Sequence, residues 1–354
     1  MMKKTAIALS VAALACAAQA AEVFKNADTA VEVNVDLQFY NFNVVDTANA
    51  MARNYLMGRG TQLQLKASKM IDADLTVFGQ FETDPDAVGD NATLLTDDMK
   101  FGLKSKSMGT IQVGAFDSYM EDELAEIASA FIITSGTSKY GMGTEMTVAN
   151  DGRHIMYSNK IGDFAFGIDF TQSTNAASSS TSGATDGSNG FAYTGSYTLG
   201  NLKVVAGAST IARYTSDGFA VDTGNLAVNI GAYREAKGFG ASYLLDSGLG
   251  KTRFALLTGT NLSYSATAAY DNLETTYNNF SVNHTFGPWQ VGYLGGVRSA
   301  PAVSSSYAAA TYNENAVQVV YDLGKGARLY AASANLGSST GLGNSTEVGF
   351  LMSF

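Results

Sequence analysis

The chain is short of four things. Its 354 residues include one cysteine, three prolines and two histidines, and only 15% are charged. One cysteine forbids an internal disulfide. With two histidines it also cannot supply the Cys/His cluster of a structural zinc site. Few prolines beside 19 Phe and 18 Tyr do not suit a disordered chain, which is poor in aromatics and rich in charge. The charged fraction lies well below the roughly 25% of soluble domains. Yet past the N-terminus no apolar run approaches the ~18–20 residues of a spanning helix, which excludes a polytopic helical membrane protein. Positive charge is scarce too: 22 Lys and Arg stand against 32 Asp and Glu, a net −10. A nucleic-acid partner would need the opposite balance.

The N-terminus reads as an export signal. Lys3 and Lys4 form a basic region, Thr5 to Leu14 an apolar one, and Ala18-Gln19-Ala20 a small-x-small cleavage site. Residues 1–20 are then a signal peptide and 21–354 a single domain. Cys16 leaves with the signal, and losing the two lysines takes the net charge from −10 to −12. Ala13-Leu14-Ala15-Cys16 loosely matches a lipoprotein box, but Ala stands where Leu is usual and a conventional site follows.

What the mature chain has is alternation. Val31, Val33, Val35, Leu37 and Phe39 interleave with Glu32, Asn34, Asp36, Gln38 and Tyr40. Phe101 and Leu103 interleave with Lys100, Gly102 and Lys104, and Phe164 to Phe170 with Ala165 to Thr171. Period 2 is the strand period, though a soluble sandwich would show it as well. The connections separate the two. Short ones at Asp72-Ala73-Asp74, Gly109-Thr110, Gly162-Asp163, Gly200-Asn201, Gly287-Pro288 and 324–326 take turns with long ones at 46–60, 84–97, 117–151, 172–189, 299–313 and 337–344. Such sorting puts all long loops at one end, as in outer-membrane barrels. Closure is then obligatory, because an open edge would leave unpaired backbone groups in hydrocarbon.

The expected fold is an all-β, antiparallel, up-and-down transmembrane barrel of sixteen strands running from 31–45 to 345–354. The stretch 214–274 admits eighteen, if Leu226–Ala236 and Leu262–Tyr270 are further strands. Gln172–Gly190, rich in Ser, Thr, Ala and Gly, reads as an exposed loop.

These features together resemble the Gram-negative general porin family over essentially the whole chain. They are the signal peptide, the mature size, the strand at Val31–Val44 and the C-terminal Phe354 after alternating apolar residues. Thr61–Asp84 is similar to the family's second and third strands, and Asp98–Phe116 to its fourth and fifth. The resemblance implies a trimeric, water-filled channel in the outer membrane, among lipid and lipopolysaccharide. It implies a third outside loop folded inward as a constriction. It also implies Phe354 as the assembly signal read by the barrel-assembly machinery, with periplasmic chaperones upstream. No cofactor is implied.

The third loop carries the candidate site. Ser118-Tyr119-Met120-Glu121 fits a capping box. Leu124, Ile127, Ala128 and Phe131 then follow at i, i+3, i+4, i+7, one apolar helical face. Asp122 and Glu126 point almost opposite it, one turn apart, with Glu123 on the flank and Glu121 partly used by the cap. Like charges at that spacing cost a few tenths of a kcal/mol, so helix stability does not explain them. An acidic lip on a pore does. The alternative is a solvated helix face on an outside loop.

Opposite the lip, the family commonly places arginines. Here Gln62 and Ala115 stand at two such positions, and only Arg153 matches. Lys66, Lys100 and Lys104 alternate with apolar residues and should face the lumen, as pore-wall bases or as ordinary lumen solvation. A weak basic wall in a −12 chain predicts preference for cations.

An enzyme fits poorly. His154 and His284 lie in no recognisable nucleophile arrangement, and His284 reads as a residue near a short turn. Asp84, Asp86 and Asp90 lack the EF-hand spacing. The expected function is passive diffusion of small hydrophilic solutes and ions. A substrate-selective channel, for example for sugars, and a plugged structural or adhesive barrel remain the alternatives.

Overall fold

The structure, a computed structural model, describes residues 21–46, 51–57, 61–88, 91–128, 153–176, 185–213, 233–264, 273–300, 310–335 and 342–353. The first elements are β1 (Ala21–Lys25), β2 (Thr29–Asp46), β3 (Met51–Met57), β4 (Gln62–Met70), β5 (Leu75–Val88), β6 (Asn91–Ser105) and β7 (Gly109–Ala115). Helix α1 (Tyr119–Glu123) and a 3-10 turn (Ala125–Ala128) come next. Then follow β8 (Arg153–Ile161), β9 (Phe164–Ala176), β10 (Thr185–Leu199), β11 (Leu202–Arg213), β12 (Tyr233–Asp246) and β13 (Lys251–Tyr264). The last are β14 (Leu273–Phe286), β15 (Trp289–Ala300), β16 (Ala310–Gly324), β17 (Ala327–Asn335) and β18 (Leu342–Ser353).

Every strand pairs antiparallel with its sequence neighbour, and β18 closes the ring on β2. β3 and β4 together make one strand of the wall: β3 pairs with the upper part of β2 (Tyr40↔Met57) and β4 with the lower part (Asp36↔Gln62). β1 is a short hairpin on β2 that adds no wall position. The barrel therefore has sixteen strands. The eighteen-strand alternative is not realised: Tyr233–Ala236 opens β12 and Leu262–Tyr264 ends β13, while 214–232 and 265–272 lie outside the described residues.

The alternation sorts as expected. Leu65, Phe101, Leu103, Ile155, Phe170, Phe191 and Leu256 are all at least 40% exposed on the outer face, as a lipid-facing band requires. Their neighbours Asp169, Thr171, Ala192, Thr194 and Leu257 are buried inward.

Three sequence expectations are corrected. Residues 84–97 are mostly strand, since Pro85 pairs with Leu94 and Val88 with Asn91. In Gln172–Gly190, both flanks pair, from Gln172↔Asn189 to Ala176↔Thr185, leaving 177–184 outside the described residues. Composition suggested a loop in 172–190, but Ser and Thr pair well across antiparallel strands, so the β9–β10 ladder continues there. The turn expected at Gly109-Thr110 lies earlier, at 106–108. Asp74 fixes it by accepting from Ser105 Oγ (2.6 Å) and Ser107 N (2.9 Å), and Gly109 enters β7 at φ 86.

A constriction loop clamped to the barrel wall

Between β7 and β8 the chain turns into the lumen. Ser118 caps α1 as its pattern predicts: its Oγ accepts from Glu121 N at 3.2 Å. The helix is shorter than the apolar periodicity suggests. It ends at Leu124 (φ −102, ψ −54), and a 3-10 turn continues the same face, with Ile127 N donating to Leu124 O at 3.2 Å. Phe131 lies outside the described residues.

The apolar face lies against the wall. Met120, Leu124, Ile127 and Ala128 form one buried cluster with Val205 on β11, Ala255 and Leu257 on β13, and Tyr277 on β14. Three inward glycines make the seat. A Cβ at Gly240 would lie 2.6 Å from Ile127 Cγ2, one at Gly207 3.3 Å from Met120 Cγ, and one at Gly167 2.2 Å from Tyr119 Cδ1.

Two charged side chains of the wall hold the ends. Asp169 on β9, fully buried, accepts from Tyr119 N at 3.2 Å. Arg253 on β13 donates from Nη2 to Ile127 O at 2.8 Å. An acceptor at the N-terminal end and a donor at the C-terminal end complement the exposed helical N–H and C=O groups. Behind Asp169, His154 stacks near Phe116 (centroids 5.1 Å) and bonds Thr171 Oγ1 at 3.1 Å. Burial, with the carboxylates of Glu123, Asp122 and Asp169 nearby, pushes the Tyr119 phenol up to about 12.

The loop acids separate into different roles. Asp122 is exposed, Glu121 is 4% exposed at the foot of α1, and Glu123 is paired with Lys203 of β11 at 2.6 Å. Glu126 lies in the 3-10 turn and its side chain is outside the described ones. Asp122 is thus the exposed acid among the described side chains of the helix.

Half-way round the ring from this seat lie β2, β4, β5 and β6. Their inner face is a chain of amides and acids. Asn34 donates to Gln64 at 3.1 Å, Gln64 donates to Glu82, and Gln80 donates to Asp98 at 3.4 Å. Lys100 faces inward but is matched by Asp98 at 2.8 Å, with its ammonium 5.6 Å from the Phe116 ring centroid. Lys66 and Lys104 also alternate inward, half-buried and exposed respectively. Arg153 opens β8, with its side chain outside the described ones, and Phe354 lies just past β18, also outside them.

Sequence reasoning read Asp169 only as an inward acid of the wall and missed Arg253, so it missed the clamp that these two make with loop partners 50 and 126 residues away. It also passed over Gly167, Gly207 and Gly240, whose one legible signal is a missing side chain at inward strand positions. His284 is where it was expected, two residues before the end of β14, bonded to Thr252 at 2.9 Å. Asp84 and Asp86 lie on β5 and Asp90 is outside the described residues, among which no group of His, Cys, Asp and Glu is placed to hold a metal ion.

Solved structures share this architecture. An OmpF of Salmonella typhi in complex with daunomycin matches with a TM-score of 0.69 at 16% identity, over 94% of this chain and 99% of that one. An anion-selective porin from Comamonas acidovorans matches at 0.67 and 14%, over 92% and 100%. OmpT of Vibrio cholerae in its trimer form matches at 0.65 and 13%, over 92% and 100%. At these identities the likeness is one of fold. No curated protein sequence matches this chain. The Gram-negative porin model matches residues 5–341, nearly the whole sequence, so the sixteen-stranded barrel with its inward loop belongs to the Gram-negative porin family, a family of channels.

Proposed function

We propose that this porin is a passive, cation-preferring channel of the outer membrane, admitting small hydrophilic solutes and ions. The observation that carries it is the constriction loop, seated in the lumen by its apolar face and clamped at both ends by Asp169 and Arg253. A fixed loop sets a fixed aperture, and no moving part is needed. Solutes then cross by diffusion, selected by width and charge.

The charge preference rests on Asp122, exposed on α1, with Glu126 one turn on in sequence, and on a wall whose described side chains at β2, β4, β5 and β6 include a run of amides and acids. The Debye length is ~10 Å at 0.1 M salt, so these charges act across an eyelet of that radius or less. Arg153, Lys66 and Lys100 are the bases set against them, with Asp98 matching Lys100 in place, while Lys104 lies nearer the short turns, one residue before the end of β6. The working form is a homotrimer in lipopolysaccharide-containing membrane. It is exported with cleavage after Ala20 and inserted by the barrel-assembly machinery through the terminal strand ending in Phe354, after handling by periplasmic chaperones.

The test is the reversal potential across a planar bilayer under a tenfold KCl gradient. The parent should prefer K⁺, and Asp122→Asn with Glu126→Gln should lower that preference without altering folding. Preference for Cl⁻ in the parent refutes the charge reading. An unchanged potential in the double variant moves the selectivity to Glu32, Asp36 and Glu82 on the wall.

A further inference from the structure

Beneath α1, on the short-turn side, the lumen holds a cavity of about 430 Å³, within the ~300–1,000 Å³ of small-molecule sites. Short turns are periplasmic in such barrels, so solute entering from outside meets this cavity after the eyelet. Ladder register builds its floor. Lys104 pairs with Thr110 and Thr110 with Ser158. Two residues further along β8, Lys160 pairs with Ala165, and Ala165 with Ser196. Thr198 then pairs with Lys203. All of these line the cavity, and Tyr119 and Glu123 of α1 roof it.

The lysines in and near this cavity fall into two groups. Lys100 is matched by Asp98 and Lys203 by Glu123. Lys106, at the cavity's mouth, gives its ammonium to Ala73 O at 2.5 Å. Lys104 and Lys160 have no acceptor for their ammonium groups among the described residues. The remaining lining acid is Asp163, in the turn after β8. Strands lie about 4.8 Å apart and rise about 3.4 Å per residue, so Lys104 and Lys160 are rooted roughly 12 Å apart. Two lysine side chains close that distance between them and can grip one anion. Ala165 leaves the space between them and Lys203 open, and Ser158, Ser196 and Thr198 border that space with hydroxyls.

We propose that this ledge binds small polyhydroxylated anions, sugar phosphates foremost, with the phosphate between Lys104 and Lys160 and the hydroxyls along Ser196 and Thr198. The inference rests on the channel reading and deepens it. An acidic eyelet slows anions, and a basic ledge just beyond it holds those that have passed. A phosphate alone fills little of the cavity, which is why the hydroxyl row enters the recognition.

The test is current blockade in a planar bilayer holding the full-length mature protein in 0.1 M KCl, with glucose 6-phosphate, glucose or inorganic phosphate added to one compartment. Glucose 6-phosphate should interrupt the current, more often from the short-turn side, and glucose should not. Lys104→Gln with Lys160→Gln should shorten the blocked time at least about tenfold, the weight of a hydrogen bond to a charged group. Lys251→Gln removes a lysine at the same end of the pore on the far wall, where β13 begins, and should leave blockade as it was. Heat-shifted gel migration verifies that each variant is folded. Blockade unchanged in the double variant, or equal blockade by glucose, overturns the proposal. Equal blockade by inorganic phosphate overturns the part played by the hydroxyls. A steady current that no anion interrupts refutes the ledge and leaves the channel standing, whereas a silent bilayer refutes both.

Discussion

Leu124→Ala isolates what holds the constriction loop in place. Leu124 is 0% exposed and touches loop and wall together through Met120, Ile127, Val205 and Leu257. The lumen is wetted, so undocking returns this side chain to water and ordinary hydrophobic magnitudes apply. Three carbons are removed, at about 0.8 kcal/mol each. A partly collapsed cavity adds to that, for a total of about 3 kcal/mol. With each 1.4 kcal/mol worth a factor of ten, the docked-to-undocked ratio should fall by about two orders of magnitude. The strand ladders do not involve this residue, so the barrel stays folded and keeps its heat-shifted migration on gels. Limited proteolysis of the folded protein in detergent reads the change, because cleavage tracks the undocked population when reclosing is fast. Cutting within 117–152 should speed up by about a hundredfold, and the open-channel current should become noisier. Parent-like cleavage and noise would show that the loop is not held by its apolar face.

Asp169→Ala and Arg253→Met each remove a charged hydrogen bond to the loop backbone, about 1.5–3 kcal/mol, and the same proteolysis should speed up by roughly tenfold or more in either variant. The Tyr119 phenol is neutral in the docked loop and ionises near 12 rather than 10. The raised value makes its contribution to docking fully present below pH 10 and lost as pH climbs to 12. Current noise should therefore rise across that window, and Tyr119→Phe should flatten the rise. Deleting Phe354 should reduce the amount of heat-shifted barrel reaching the outer membrane, because β18, which precedes it, must zip onto β2 to close the ring. Normal amounts in the membrane would remove Phe354 from assembly.

The barrel was legible because lipid imposes a strict rule on sequence. Each wall strand must show apolar residues outward and pair completely, so Phe101 and Leu103 against Lys100 and Lys104 declare their faces without any knowledge of partners. The cap at Ser118 and the apolar face of Leu124, Ile127 and Ala128 were legible for a similar reason, since both are local patterns within a few residues. Strand ends were not, as at 84–97, because beyond the bilayer nothing forces hydrophobic alternation and only backbone pairing continues. The clamp was not legible either. Asp169 looks like any other inward polar residue until the fold brings Tyr119 N to it, and Arg253 acts on a carbonyl, which carries no sequence signal. Charge pairing hid likewise: Glu123 reads as part of an acidic lip, yet Lys203, 80 positions away in the chain, takes its carboxylate.

The central claim is that this barrel conducts through an aperture set by a stationary loop. Purified, refolded protein added to a planar bilayer measures that directly. The account predicts stepwise insertions, each opening a steady current that is linear in voltage. A protein that migrates as a folded barrel on gels yet leaves the bilayer silent would contradict it.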